Sequence, residues 1–400
     1  RFIQYSFFTI QWSILNEGDN MSDKSVFFEI FGVQVQFGWN ALDTLGRHAG
    51  ANNAKRALIV TDSGVAAAGI PEQIATALKS AGIESVIFDG VSENPTDKNV
   101  EMGAKQYKEA SCDMIIGLGG GSPMDAAKGV RVLASHPAPL HRYLDIKGGD
   151  NIVNPMPLLI DIPTTSGTGS ETSRGAVITD TEQRVKRVLR SGMPSLALVD
   201  PALTVSMPPK LTAATGMDAL SHCIEAYLSP QYHPAAEAIA FEGIRLVAEN
   251  LPAAVENGND QEARTQMAMA SSMGALAFQK GLGSTHSLSH QLSSEFDIHH
   301  GVANALLLPH TMAFNLDLTK DKMSRIAFAM GETSPTPEGA VTAVADLNKR
   351  IGIPEKLSDL GVSEDRIRHM ARNAMTDWCH PNNPRACTEE DMKALYLGAM

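Results

Sequence analysis

Cysteine is scarce in this chain, with four in 400 residues. Cys112, Cys223, Cys379 and Cys387 fall at neither metal-type nor redox-motif spacings. That excludes a disulfide scaffold or a cysteine-built zinc module and points to reduced thiols in a reducing, cytoplasmic compartment. Positive charge is also in deficit: 33 Lys and Arg against 45 Asp and Glu give a net charge of −12. A nucleic-acid partner needs a basic face, so that class is excluded, whereas a small anionic substrate is not, because local fields decide it. No apolar run approaches the roughly 18–20 residues of a bilayer span, so no membrane segment is expected. No internal repeat or low-complexity linker appears either. What is present in quantity is hydrophobic residue, 43% of the chain, enough to fill two or three domain cores.

The first twenty residues, RFIQYSFFTIQWSILNEGDN, stand apart. They lack the basic segment, clean apolar stretch and small-residue cleavage site of a secretory signal. Met21 opens MSDKSVFFEI, which has the look of an ordinary start, so residues 1–20 are expected to be an upstream or non-native extension. From residue 56 strands and helices alternate. RALIVTD, ESVIFDG, DMIIGLGG and NPMPLLIDIPTT read as strands; PEQIATALKSAG, DKNVEMGAKQYKEA and SPMDAAKGVRVLA read as the helices between them. That alternation predicts a parallel sheet covered by helices on its faces. After Pro208 and Pro209 the pattern is helical to the end. The expected fold is α/β plus all-α, with a parallel-sheet domain over 21–207, a helical domain over 208–400, and a cleft between them.

Four residues between positions 218 and 300 carry the sharpest chemical signal: Asp218 and His222 in GMDALSH, His286 in STHSLSH, and His300 in IHHG. The first pair is spaced i, i+4, one turn apart on one helix face. One carboxylate with three imidazoles suits Fe(II), Zn(II), Co(II) or Ni(II) and is too rich in nitrogen for Mg or Ca. A second signal is IIGLGGGSPMDAAK, a buried strand, a triple-glycine turn and a helix start, with Ser122 as N-cap and Pro123 at the first helical position. Such a turn presents backbone N–H groups and a helix N-terminus to a phosphate. PTTSGTGSE adds the hydroxyls of Thr164, Thr165, Ser166 and Thr168. Taken singly, a tight turn or a polar loop explains each; together with a metal quartet they imply chemistry on a small substrate beside a phosphate-bearing cofactor.

The motifs GGGSPMDAAK, IPTTSGTGSE, ATGMDALSHCIEAY and HHGVANALLLPHTMAFN make the chain resemble the iron-containing (group III) alcohol dehydrogenase family over essentially residues 25–400. The resemblance implies a dinucleotide-binding N-terminal domain and a helical metal-binding C-terminal domain. It also implies NAD(H) or NADP(H) with Fe(II), sometimes Zn(II), and a homo-oligomer. Carried over by position, the metal ligands are Asp218, His222, His286 and His300, and His290 is a proton-relay or positioning residue near the nicotinamide. The dinucleotide positions are Asp62, Asn94, Gly120, Gly121, Ser122, Thr164, Thr165 and Thr168, with Lys186 reaching the ribose or pyrophosphate and Leu198 an apolar contact.

Asp62 has a reading of its own. An acid closing the first of these strands can accept from a ribose hydroxyl and would repel a 2′-phosphate, which favours NAD over NADP; the plainer alternative is a cap for the following GVAAAG. Three departures from the family pattern stand out. His299 precedes the ligand His300 where many relatives have Pro, and the frame HGVANA selects His300. Arg174 and Lys280 fall near the substrate end of the cleft in similar enzymes, so the substrate is expected to be a small alcohol or aldehyde that carries an anionic group. The bland reading of each cation is a solvated surface side chain. A metal- and NAD-dependent lyase or cyclase of the dehydroquinate-synthase kind is the alternative; it shares the architecture but lacks the GMDALSH and HHGVANALLLPH signatures.

Overall fold

The computed structural model describes residues 26–30, 32–183 and 185–400, so the segment 1–20 lies outside the described residues. Its main sheet is built from β1 (Val26–Ile30), β2 (Val33–Phe37), β3 (Arg56–Asp62), β4 (Glu84–Val91), β5 (Met114–Gly119), β6 (Leu158–Pro163) and β9 (Leu196–Val199). The order is β1-β2-β9-β6-β5-β3-β4. The six strands from β2 to β4 are parallel and β1 adds an antiparallel edge. The expected strands at 56–62 and in DMIIGLGG are found in place. NPMPLLIDIPTT contributes a shorter strand, because two of its prolines precede Leu158.

Continuous apolar runs make β5 and β9 buried along their whole length. Alternate residues serve two cores: Leu58, Val60, Ile115 and Leu159 pack on one face, and Ile59, Ile116, Ile160 and Ile162 on the other. This is the signature of a parallel sheet with both faces covered. The covering helices are α1 (Leu45–Ala51), α2 (Ser63–Ala67), α3 (Ile70–Ser80), α4 (Asp97–Glu109), α5 (Gly121–Ser135) and α6 (Asp145–Gly149). A two-stranded antiparallel ribbon, β7 (Gly175–Asp180) and β8 (Val185–Arg190), was not anticipated. Its second strand, VKRVLR, is half charged and gives little strand signal.

From Pro209 the chain is helical: α7 (Pro209–Leu228), α8 (Pro234–Glu256), α9 (Gln261–Ala277), α10 (Ser284–Phe296), α11 (His300–Asn315), α12 (Lys320–Ala329), α13 (Pro337–Arg350), α14 (Glu364–Ala374) and α15 (Glu389–Gly398). Helix α7 is the hub. Every residue from Thr212 to Leu228 is buried, as expected of a helix surrounded on all sides. Helix α11 crosses it where Gly301 faces the backbone: a Cβ at 301 would fall 2.0 Å from the Ala214 carbonyl oxygen. Only glycine permits that approach, and it brings His300 beside Asp218. Among the described residues, no helix is long and apolar enough to cross a membrane.

Candidate active site

The α5 N-terminus opens on a cleft of about 1930 Å³ that runs between the sheet and the helices. The glycine turn is shaped by contact as well as by freedom. Gly119 has φ 140° with Pro123 Cγ where its Cβ would be, at 2.8 Å, and a Cβ on Gly121 would sit 2.9 Å from Thr168 Cγ2. The helix starts earlier than expected: Gly120 is the N-cap, with no side-chain hydrogen bond to the first-turn N–H groups. Ser122 therefore lies inside the first turn, and its hydroxyl donates to the Glu93 carbonyl instead, tying the turn to the Asn94 loop. The loop carrying Thr164, Thr165 and Thr168 is braced from α5. Lys128 Nζ, wholly buried, donates to Ser170 O at 2.7 Å, Ser170 Oγ at 2.6 Å and Gly175 O at 3.0 Å. Asp125 accepts from Ser170 Oγ at 2.6 Å and Val177 N at 2.7 Å.

The structure brings Asp62, Asn94, Gly120, Gly121 and Ser122 onto one wall of this cleft, together with Thr164, Thr165, Thr168 and Lys186. Asp62 is also a helix cap: its Oδ1 accepts from Gly64 N at 2.8 Å and Val65 N at 2.9 Å, and its Oδ2 has no partner among the described residues. Two expected residues do not reach the cleft. Leu198 is fully buried in the core, packed with Leu196, Ile160 and Leu45, because β9 is covered on both faces. Lys280 is only 1% exposed, and its ammonium is fully engaged. It donates to Tyr227 O at 3.2 Å and Ser229 O at 2.6 Å, and pairs with Glu237 at 2.7 Å. It closes the C-terminus of α7, where free carbonyls attract a cation, and is not available to a substrate. Burial, opposed by the bond to Glu237, lowers it to about 8. Arg174, by contrast, is exposed on the cleft wall and makes no hydrogen bond or ion pair among the described residues.

At the other end of the cleft α7, α10 and α11 converge. Asp218 and His222 come from α7, His286 and His290 from α10, and His300 opens α11. Asp218 Oδ1 lies 3.8, 3.9 and 3.6 Å from Nε2 of His222, His286 and His300. These separations are too long for hydrogen bonds and close to the roughly 3–3.5 Å between donors sharing one ion at about 2.1 Å. Burial pushes His222 down to about 4 and His300 well below its ordinary value, so both favour the neutral, ligating form. The Asn304 amide, i+4 from His300, donates to Asp218 Oδ1 at 2.8 Å, and the Asn304 Oδ1 is buried without a partner among the described residues. A buried carboxylate faced by three imidazole nitrogens fits a divalent transition metal. His299 is not part of the set: its Nδ1 accepts from Gly301 N at 3.2 Å and caps α11.

Two carboxylates at this end were not anticipated. Glu225, on α7, accepts from His286 Nδ1 at 2.5 Å and from Thr285 N at 2.7 Å. Burial opposes its ionisation, but the contacts with His286 and the backbone hold its pKa below the ordinary value. His286 in turn is raised against the effect of burial, chiefly by Glu225. The spacing gave a usable signal, since Glu225 follows Asp218 by seven residues and shares its helix face. Asp377 accepts from His290 Nδ1 at 2.8 Å, from a segment with no sequence proximity to α10. Burial opposes ionisation here too, but the His290 contact holds its carboxyl well below the usual range. The neighbouring Trp378 tilts against the His290 ring at 5.1 Å and forms a wall of the cleft.

Comparison with known proteins agrees with this geometry. Residues 33–201 match the family model described as iron-containing alcohol dehydrogenase, and residues 212–400 match the C-terminal model of the same family. The chain belongs to the iron-containing alcohol dehydrogenase family. It is 42% identical to a 1,3-propanediol dehydrogenase of Klebsiella pneumoniae over 374 residues, covering 91% of this chain and 96% of the relative. With a 4-hydroxybutyrate dehydrogenase of Cupriavidus necator it shares 38% over 387 residues, 93% of this chain and all of the other. The crystal structure of a sulfoacetaldehyde reductase from Bifidobacterium kashiwanohense in complex with NAD+ superposes with a TM-score of 0.84 at 29% identity, covering 94% and 98% of the two chains. The chain is therefore an oxidoreductase acting on alcohols, and these relatives are dehydrogenases rather than lyases.

Proposed function

We propose that the enzyme interconverts a short-chain alcohol and its aldehyde with NAD and Fe(II), on a substrate that carries an anionic group. The observation that carries the reaction is the convergence of Asp218, His222, His286 and His300 at one end of a cleft whose other end is a glycine-lined helix N-terminus. When bound, the metal supplies Lewis acidity and the nicotinamide a hydride acceptor. The chain's own residues do the rest. Backbone N–H groups of Gly121 and Ser122 would hold the pyrophosphate, with the Thr164, Thr165 and Thr168 hydroxyls and Lys186 as further donors. The second Asp62 oxygen accepts from a ribose hydroxyl and repels a 2′-phosphate, which supports NAD over NADP. His290 moves the hydroxyl proton to solvent. Fe(II) is preferred to Zn(II) on family grounds, since the donor set accepts either. Four free thiols support a reducing, cytoplasmic setting, and a homo-oligomer is the assembly expected from the family.

With Lys280 committed to α7, the anionic-substrate reading rests on Arg174 alone. Relatives named for 4-hydroxybutyrate and sulfoacetaldehyde act on molecules with an acid group, which supports it. The test compares Arg174→Ala with the parent enzyme on a neutral diol and on an ω-hydroxy acid. The reading expects kcat/KM to fall about tenfold or more on the acid only, equivalent to one charge-assisted contact. Equal losses on both substrates would reassign Arg174 to the cofactor. Lys280→Ala is expected to affect both substrates alike and to lower the melting temperature.

A further inference from the structure

Asp377 has no part in the chemistry described so far, yet it is 8% exposed and its carboxylate is saturated with donors. Its Oδ2 accepts from His290 Nδ1 at 2.8 Å, and its Oδ1 accepts from Ser287 Oγ and from Cys379 N, both at 2.9 Å. The direction of the Ser287 bond is set, because an ionised carboxylate can only accept, and Ser287 Oγ, which accepts from His380 N at 2.8 Å, gives its one hydrogen to it. Every hydrogen in this network therefore points at the carboxylate, which has none to give. His290 must carry its hydrogen on Nδ1, and the lone pair is left on Nε2. The one hydrogen bond that the ring makes among the described residues is at Nδ1, and His290 lines the cleft. The ring plane is fixed as well: it stacks on His300 at 5.3 Å and 13°, with Trp378 tilted against it.

We infer that Asp377 is the positioning residue that holds His290 in the tautomer whose Nε2 takes the substrate's hydroxyl proton. This deepens the proton-relay reading of His290 and rests on it. Alcohol oxidation releases one hydride, which leaves with its electron pair for the nicotinamide, and one proton. That proton goes to Nε2, where the bond formed replaces the O–H bond broken, and then to water; Nδ1–H stays on Asp377 throughout. In the reductive direction Nε2–H returns the proton to the forming alcohol. Asparagine at 377 would reverse the arrangement. Its single oxygen would answer Ser287 and Cys379, its NH2 would face Nδ1, and the imidazole hydrogen would be driven to Nε2, where it cannot accept.

The test uses iron-loaded full-length protein carrying Asp377→Asn, His290→Ala, or both. Metal content and KM for NAD are expected to stay near those of the parent. The kcat of each single variant is expected to fall by about 10²- to 10⁴-fold, the usual range for a lost proton-transfer group, with the double variant no worse than either. Full activity in Asp377→Asn with loss in His290→Ala would overturn the inference and leave the relay standing. Full activity in His290→Ala would remove both. Independently of how any variant folds, nitrogen-15 NMR of the histidine-labelled, zinc-loaded parent should find the His290 hydrogen on Nδ1. A hydrogen on Nε2 would overturn the inference outright.

Discussion

His286 is held through Nδ1, and this explains why Glu225 is a glutamate. One oxygen of Glu225 accepts from His286 Nδ1 and the other from the Thr285 N–H, so both sides of the carboxylate meet donors. Glutamine would turn an NH2 toward one of them. The ring would then lose the bond that fixes Nε2 toward Asp218. Glu225→Gln is therefore expected to weaken metal affinity by about 10- to 100-fold, as for other carboxylate–histidine–metal arrangements. Competition with a calibrated chelator measures this, and the melting temperature of the metal-free protein serves as the control. Unchanged affinity with a lowered melting temperature would make Glu225 a packing residue only. The quartet was legible in the sequence because its donor chemistry and one i, i+4 pair are local. Asp377 was not, since its partner His290 is 87 residues away. Lys280 shows the converse: a cation near the site in sequence says nothing of which way its ammonium turns, and here it turns to the end of α7.

At the scale of elements, parallel strands could be read because their apolar runs are continuous and each is closed by a helix pattern. The β7–β8 ribbon could not, because VKRVLR mixes charged and apolar residues without strict alternation, and three residues of β7 and five of β8 are exposed or half-buried. Nor did the sequence reading see how β5 and β6 fit. Gly117 and Asp161 are paired across these strands, and a Cβ on Gly117 would lie 2.3 Å from Asp161 Oδ1. The missing side chain makes room for a carboxyl group whose two oxygens have no hydrogen bond among the described residues. Burial, reinforced by Glu171 and Asp125 and opposed by Lys128, raises Asp161 from 3.8 to about 8. A raised acid binds its proton more tightly folded than unfolded. Stability is thus intact below the unfolded value, falls as pH rises from about 4 to about 8, and carries the full penalty above that. Asp161→Asn is expected to be more stable than the parent by on the order of 4 kcal/mol at pH 7, with the two converging near pH 4. Urea unfolding across that range checks it, and parallel pH curves for the two proteins would refute it.

At the scale of the molecule, the sheet carries the glycine turn and the helices the Asp218–His222–His286–His300 cluster, and the two are joined by specific bonds. Thr172 Oγ1 donates to Ser272 O at 3.1 Å, and Ser272 Oγ to Glu171 Oε1 at 2.7 Å, linking the Thr-rich loop to α9. The glycine turn and the Asp–His cluster are thereby held in one cleft, as the order of motifs along the chain implied. The central claim is that Asp218, His222, His286 and His300 hold the ion on which dehydrogenation depends. The most direct measurement strips the protein with chelator under anaerobic conditions, restores Fe(II) or Zn(II) separately, and follows NADH absorbance with short diols and ω-hydroxy acids. The stripped protein is expected to show no turnover and to recover on adding one equivalent of Fe(II), with no recovery in His286→Ala. Full NADH formation by the metal-free protein, or recovery in His286→Ala equal to the parent's, would contradict that claim.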